Sequence, residues 1–155
     1  MNDRPHVLVE LNEWVWSQMK KDLADLDPQE IDWRPVAQAN SISVIVRHLR
    51  IEAHWKLASL EEGRPEPVET TPAVEAFIAA IPLDFARNFA ELDTLCTRFV
   101  AVLRSTPLPT LAQQTPLMYQ GSPRAIPAHF LGYHHAVHLA IHWGQSRRSD
   151  HGSAA

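Results

Sequence analysis

The chain predicts an all-α protein, an antiparallel four-helix bundle. Three observations lead there: apolar residues recur at three-and-four spacing over four long stretches, no stretch alternates like a convincing strand, and prolines gather between the periodic stretches. At 155 residues with 45% hydrophobic content, one domain over residues 1–155 is expected, with enough apolar volume for a single core.

The first helix is read over residues 3 to 26. Val7, Leu8, Leu11, Trp14, Val15, Met19, Leu23 and Leu26 carry its periodicity, with Asp3 as cap and Pro5 in the first turn. Trp14 and Trp16 stand two apart, so one core does not easily take both. A homodimer contact through the helix faces is expected on that ground. From Asp27 to Asn40, Pro28 and Pro35 break the pattern, giving a tethered connection from which Trp33 folds back on the core.

Asn40 or Ser41 caps a second helix that runs to about Glu62, where Gly63, Pro65 and Pro67 end it. After a polar link, Thr71-Pro72 opens a short helix near 73 to 80, and Pro82 separates it from a longer one near 83 to 104. That longer helix buries Phe85, Phe89, Leu92, Leu95, Phe99 and Leu103. From Ser105 to Ile126, prolines 107, 109, 116 and 123 together with Gly121 exclude a long helix, so an irregular connection is expected there. The last helix begins near Pro127, and residues 149–155 read as a disordered tail.

Composition excludes several classes of function. A net charge of −4 and a pI near 6.1 oppose nucleic-acid binding, which ordinarily needs a basic face. No apolar run approaches the length of a membrane span, and the first residues are too charged for a secretory signal, so a soluble cytoplasmic protein is expected. The one cysteine, Cys96, lies in a helical pattern and reads as a buried structural thiol.

Histidines carry the chemical signal. Five of the nine fall between His129 and His142 on the last helix, and His138 and His142 are four apart, so both lie on one face, about 6 Å apart along the axis. Such a pair can share a metal ion. His134 lies one turn back in the same row, with His135 beside it. His48, on an apolar part of the second helix among Ile45, Ile51 and Trp55, can supply the third nitrogen. Neutral imidazoles suit zinc, nickel, iron or copper, and three of them leave a position open. Glu52, one turn beyond His48, stands as acceptor for an imidazole N–H, general base or surface ion-pair partner. Trp55, with Trp143, is near enough to line a pocket. His6, His54, His129 and His151 have weaker claims as ligands.

These residues resemble the DinB/YfiT-like metalloenzyme superfamily, specifically its DinB-like branch. Asn40-Ser41-Ile42 leading to His48, with Trp33-Arg34-Pro35 before it, is similar to the family's second-helix motif. His138-x-x-x-His142-x-Gly144-Gln145 is similar to the signature of its last helix, and Tyr119-Gln120-Gly121 before Ile126-Pro127 fits the approach to that helix. The resemblance implies a four-helix bundle in which His48, His138 and His142 bind a divalent metal (zinc, nickel or iron), with water completing the shell. It also implies kinship with transferases and isomerases that use low-molecular-weight thiols. Trp143 stands where the family often has a basic residue, and His134 and His135 are extra.

Two functions follow as expectations. The first is a metal-dependent transferase using a small thiol, or a hydrolase, acting on a small-molecule substrate with Glu52 as the candidate catalytic group. Trp55, His134 and His135 are its candidate cofactor-binding residues. The second is a non-catalytic metal-binding or ligand-binding bundle of the stress-response kind. A fourth ligand from His134, His135 or Glu52 would close the shell and favour that second function.

Overall fold

The computed structural model describes residues 6–34, 36–67, 71–119 and 122–150. Four long helices dominate: α1 (His6–Ala24), α3 (Ile42–Glu62), α5 (Phe85–Ser105) and α7 (His129–Asp150). Short helices α2 (Pro28–Asp32), α4 (Pro72–Ala79) and α6 (Leu108–Leu111) lie between them. Three strands complete the described residues: β1 (Glu66–Pro67), β2 (Gln114–Tyr119) and β3 (Ser122–Pro127).

α1 packs on α5 and α7, and α3 packs on the same two helices, so the four share one interior. Val15, Met19 and Leu23 of α1, Ile45, Val46 and Leu49 of α3, Leu92 and Cys96 of α5 and Leu139 of α7 fill it. A second cluster beside it joins Leu8, Leu57, Phe99, Leu103 and Leu111. The two tryptophans of α1 separate as their spacing demands: Trp16 is buried, donating from Nε1 to Asp93 at 2.9 Å, whereas Trp14 is exposed. Asn12 also lies inside, its amide donating to the carbonyls of Leu8 and of Gly132 at 2.8 and 3.0 Å, which ties α1 to α7.

Helix ends follow local chemistry. Ser41 caps α3 by accepting from the Val44 amide, and Gly63 closes it in the left-handed region at φ 65°. Thr71 and Asp84 cap α4 and α5 in the same way as Ser41. The predicted cap Asp3 lies outside the described residues.

Four expectations are corrected. Pro28 does not break helix but starts one: it occupies the first turn of α2, where its missing N–H is unneeded. A reciprocal cap holds that turn, with Asp27 accepting from the Gln29 and Glu30 amides while Glu30 accepts from the Asp27 amide. Trp33 is half-buried and lies outside the core clusters. α7 continues to Asp150, two residues into the tail expected from 149, and 151–155 lie outside the described residues.

The fourth correction is the largest. The stretch read as irregular between Ser105 and Ile126 holds α6 and an antiparallel β2–β3 pair, and β1 joins β2 in parallel. Prolines hid the strands. Yet Pro116, Pro123 and Pro127 all fall in the same alternate set of cross-strand pairs (Gln114 with Pro127, Pro116 with Ala125, Met118 with Pro123). An antiparallel ladder bonds only every second pair, so the set holding Thr115, Leu117 and Tyr119 needs none of the missing amides.

Candidate metal centre

Helical spacing places His48, Glu52 and Lys56 on successive turns of α3, and His134, His138 and His142 on successive turns of α7. Contact between the two helices brings the rows face to face. His138 Nε2 then lies 3.1 Å from His48 Nε2 and 2.9 Å from His142 Nε2. One imidazole nitrogen from each of the three lies within 4.8 Å of the others, the one such group of potential ligands among the described residues.

The far side of each α7 ring decides what these short distances mean. His142 Nδ1 is 2.7 Å from Gln145 Oε1, an acceptor, so this nitrogen carries the proton and Nε2 carries the lone pair. His138 Nδ1 is buried without a hydrogen-bond partner, and Glu52 Oε2 stands 3.7 Å from it. The carboxylate favours the proton at Nδ1 there too. Although a carboxylate faces an imidazole, the contact is not an ion pair, because burial and then the Lys56 charge hold His138 neutral with its pKa lowered to about 3. Burial also lowers His48 and His142. Three neutral rings therefore converge, with lone pairs at the Nε2 atoms of His138 and His142.

Behind His138, Glu52 is the near end of a charged line whose other members, Lys56 and Glu66, sequence reading missed. Lys56, only 1% exposed, donates from Nζ to Glu52 Oε2 and to Glu66 Oε1, each at 2.6 Å. Burial works to raise Glu52, but Lys56 outweighs it and holds the carboxyl below its ordinary range. At Glu66 burial wins, and the pKa is raised. The spacing of Glu52 and Lys56, four apart, was a readable signal; nothing local marks Glu66, which arrives on β1. Gln145 was visible only as part of a signature, without its role.

The remaining candidates divide. His134 stacks parallel on His138, ring centroids 5.7 Å apart, with Phe130 on a second side and its own Nδ1 buried and unpartnered. It borders the cluster without joining the group of three. His135 goes into the core, its ring 4.4 Å from that of Phe99 and its Nε2 3.9 Å from Cys96 Sγ. Helical rotation takes it off the row of His134 and His138. Trp55 is half-buried and packs against Phe77 of α4, and Trp143 donates to Asp22 at 2.7 Å with Trp14 edge-on to its ring. His54 is exposed beside Phe77, and His129 Nδ1 approaches the Leu111 carbonyl at 3.2 Å. His151 lies outside the described residues. Cys96 is the buried thiol expected, and burial pushes its pKa up.

A family model for the DinB superfamily matches residues 11–146. The chain belongs to the DinB superfamily. Comparison with curated proteins and with solved structures finds no match. The span shared with the DinB superfamily includes His48, His138, His142 and Gln145, as well as the Glu52, Lys56 and Glu66 line, so the whole centre lies within the family region. No helix among the described residues is long and apolar enough to cross a membrane.

Proposed function

We propose that this DinB superfamily protein holds one divalent cation on the Nε2 atoms of His48, His138 and His142. The convergence of neutral imidazoles carries the reading. Nitrogen lone pairs 2.9 Å apart with no proton between them repel, and a cation at their focus turns that repulsion into attraction. The spacing fits. Ligand bonds of 2.0–2.1 Å in a tetrahedral shell set neighbouring nitrogens about 3.3 Å apart, close to the 2.9 and 3.1 Å found here. Behind the rings stand acceptors of the kind that orient ligating histidines: the Gln145 side-chain oxygen bonded to His142 Nδ1 at 2.7 Å, and the Glu52 carboxylate 3.7 Å from the unbonded His138 Nδ1.

Three nitrogens leave a coordination position for a small molecule, and this supports an enzyme using a low-molecular-weight thiol in transfer to a small substrate. Such a bound cation lowers the pKa of a thiol, so that the nucleophilic anion forms near neutrality. The protein's own share is to keep His138 and His142 in one tautomer and to hold Glu52 ionised beside the site. Cys96 cannot supply the thiol, since it is buried with its pKa pushed up.

Cobalt substitution tests this reading. Adding glutathione, mycothiol or bacillithiol to the cobalt-loaded protein should produce a sulfur-to-metal charge-transfer band that the His138→Ala variant lacks. Spectra unmoved by all three thiols would remove the thiol step while leaving the three-histidine site intact.

A further inference from the structure

We propose that Glu66, Lys56 and Glu52 form a buried positioning line for His138, which makes the small sheet a support of the histidine centre. The proposal rests on the three-histidine reading above. Its geometry is continuous: Glu52 Oε2 both accepts from Lys56 at 2.6 Å and stands 3.7 Å from His138 Nδ1. The same ammonium reaches Glu66 Oε1, also at 2.6 Å. Lys56 therefore holds Glu52 at His138 and is itself held from the sheet, where Glu66 on β1 pairs with Leu117 of β2.

Two observations oppose a merely stabilising role. Lysine is costly to bury, and a buried ion pair is often no more stabilising than apolar packing of the same volume. This line also leaves Glu66 Oε2 buried with no hydrogen-bond partner, which a device for stability would not do. Glu52 and Lys56 are thus positioning residues, acting on the ion through His138.

The test is zinc affinity of the full chain by competition with a chromophoric chelator, with urea unfolding of each zinc-free protein alongside. Glu66→Gln and Lys56→Met should each weaken zinc by about tenfold or more, in the range for loss of a ligand's supporting partner. In a Glu52→Gln background both effects should shrink towards nothing, because the line then lacks its last member. A purely structural role would not produce that coupling. If Lys56→Met does not fold, the isosteric Glu66→Gln with and without Glu52→Gln decides alone. Variants that bind zinc like the parent, or that weaken it equally in both backgrounds, overturn the positioning line and leave the three-histidine site standing. A parent chain that takes up no zinc overturns both.

Discussion

His135 and His138 lie three residues apart on α7, are the same residue type, and are both held by burial to a pKa of about 3. Their surroundings differ. Around His135 lie Phe99 and Cys96, an aromatic face and a thiol, so the ring serves as a polarisable core side chain. Around His138 lie two more imidazole nitrogens in front and a carboxylate behind, with one ring nitrogen left unbonded. A depressed pKa marks burial in both places and does not tell them apart. What separates them is the convergence of lone pairs.

The largest effect should come from exchanging the two roles by mutation. His138→Ala should weaken divalent-metal affinity beyond the roughly 10–100-fold that loss of a mere supporting partner costs, while leaving the hydrophobic interior intact. His135→Ala should do the reverse, removing about 2–5 kcal/mol of folding stability as a core cavity does and keeping the three nitrogens in place. Chelator competition and urea unfolding on both variants check this. A folded His135→Ala protein that no longer binds metal would erase the distinction.

The next effect is a pH dependence. His135 has an ordinary pKa of 6.5 when unfolded and about 3 when folded, so below 6.5 the unfolded chain gains a proton that the native chain does not. Stability of the metal-free protein is therefore full above about pH 6.5 and is lost as pH falls towards 3, by an amount on the order of a few kcal/mol. His135→Phe keeps a ring against Phe99 and removes that titration, so its acid limb should be flatter in urea melts between pH 7 and 4. An unchanged limb would place the acid sensitivity entirely in the histidine cluster.

How far the comparison could be read from sequence differs between its two halves. The row His134, His138, His142 is fixed by helical period alone, and His48 follows because an apolar helix face carrying one histidine has to meet another helix. Period also separates His135 from the row, and it is its place beside His134 in a histidine-rich stretch that makes it a candidate binding residue. The four long helices were legible for the same reason as the row. The sheet was not, since proline in a strand is judged by frequency, whereas its tolerance depends on the parity of a register that only pairing reveals. With the sheet went Glu66, and with Glu66 the buried state of Lys56, which from sequence is an ordinary partner of Glu52 on a solvated face.

The smallest effect sharpens the comparison at its edge, at Gln145. His142 Nδ1 lies 2.7 Å from the Gln145 side-chain oxygen in a contact open to solvent, so this acceptor fixes the tautomer that leaves Nε2 free for the cluster. Gln145→Leu removes the acceptor but not access to water, and water can accept the same proton with less directional hold. Metal affinity should therefore fall by about tenfold, the low end for a supporting partner, and by less than in His138→Ala. Gln145→Glu replaces the amide oxygen with a charged acceptor, which strengthens the bond to Nδ1–H and makes the ring a better donor. That variant should bind metal at least as tightly as the parent. If Leu and Glu at 145 give equal affinities, the tautomer of His142 is held by the cation itself, and His138 with its partly buried carboxylate is the one α7 ligand positioned from behind.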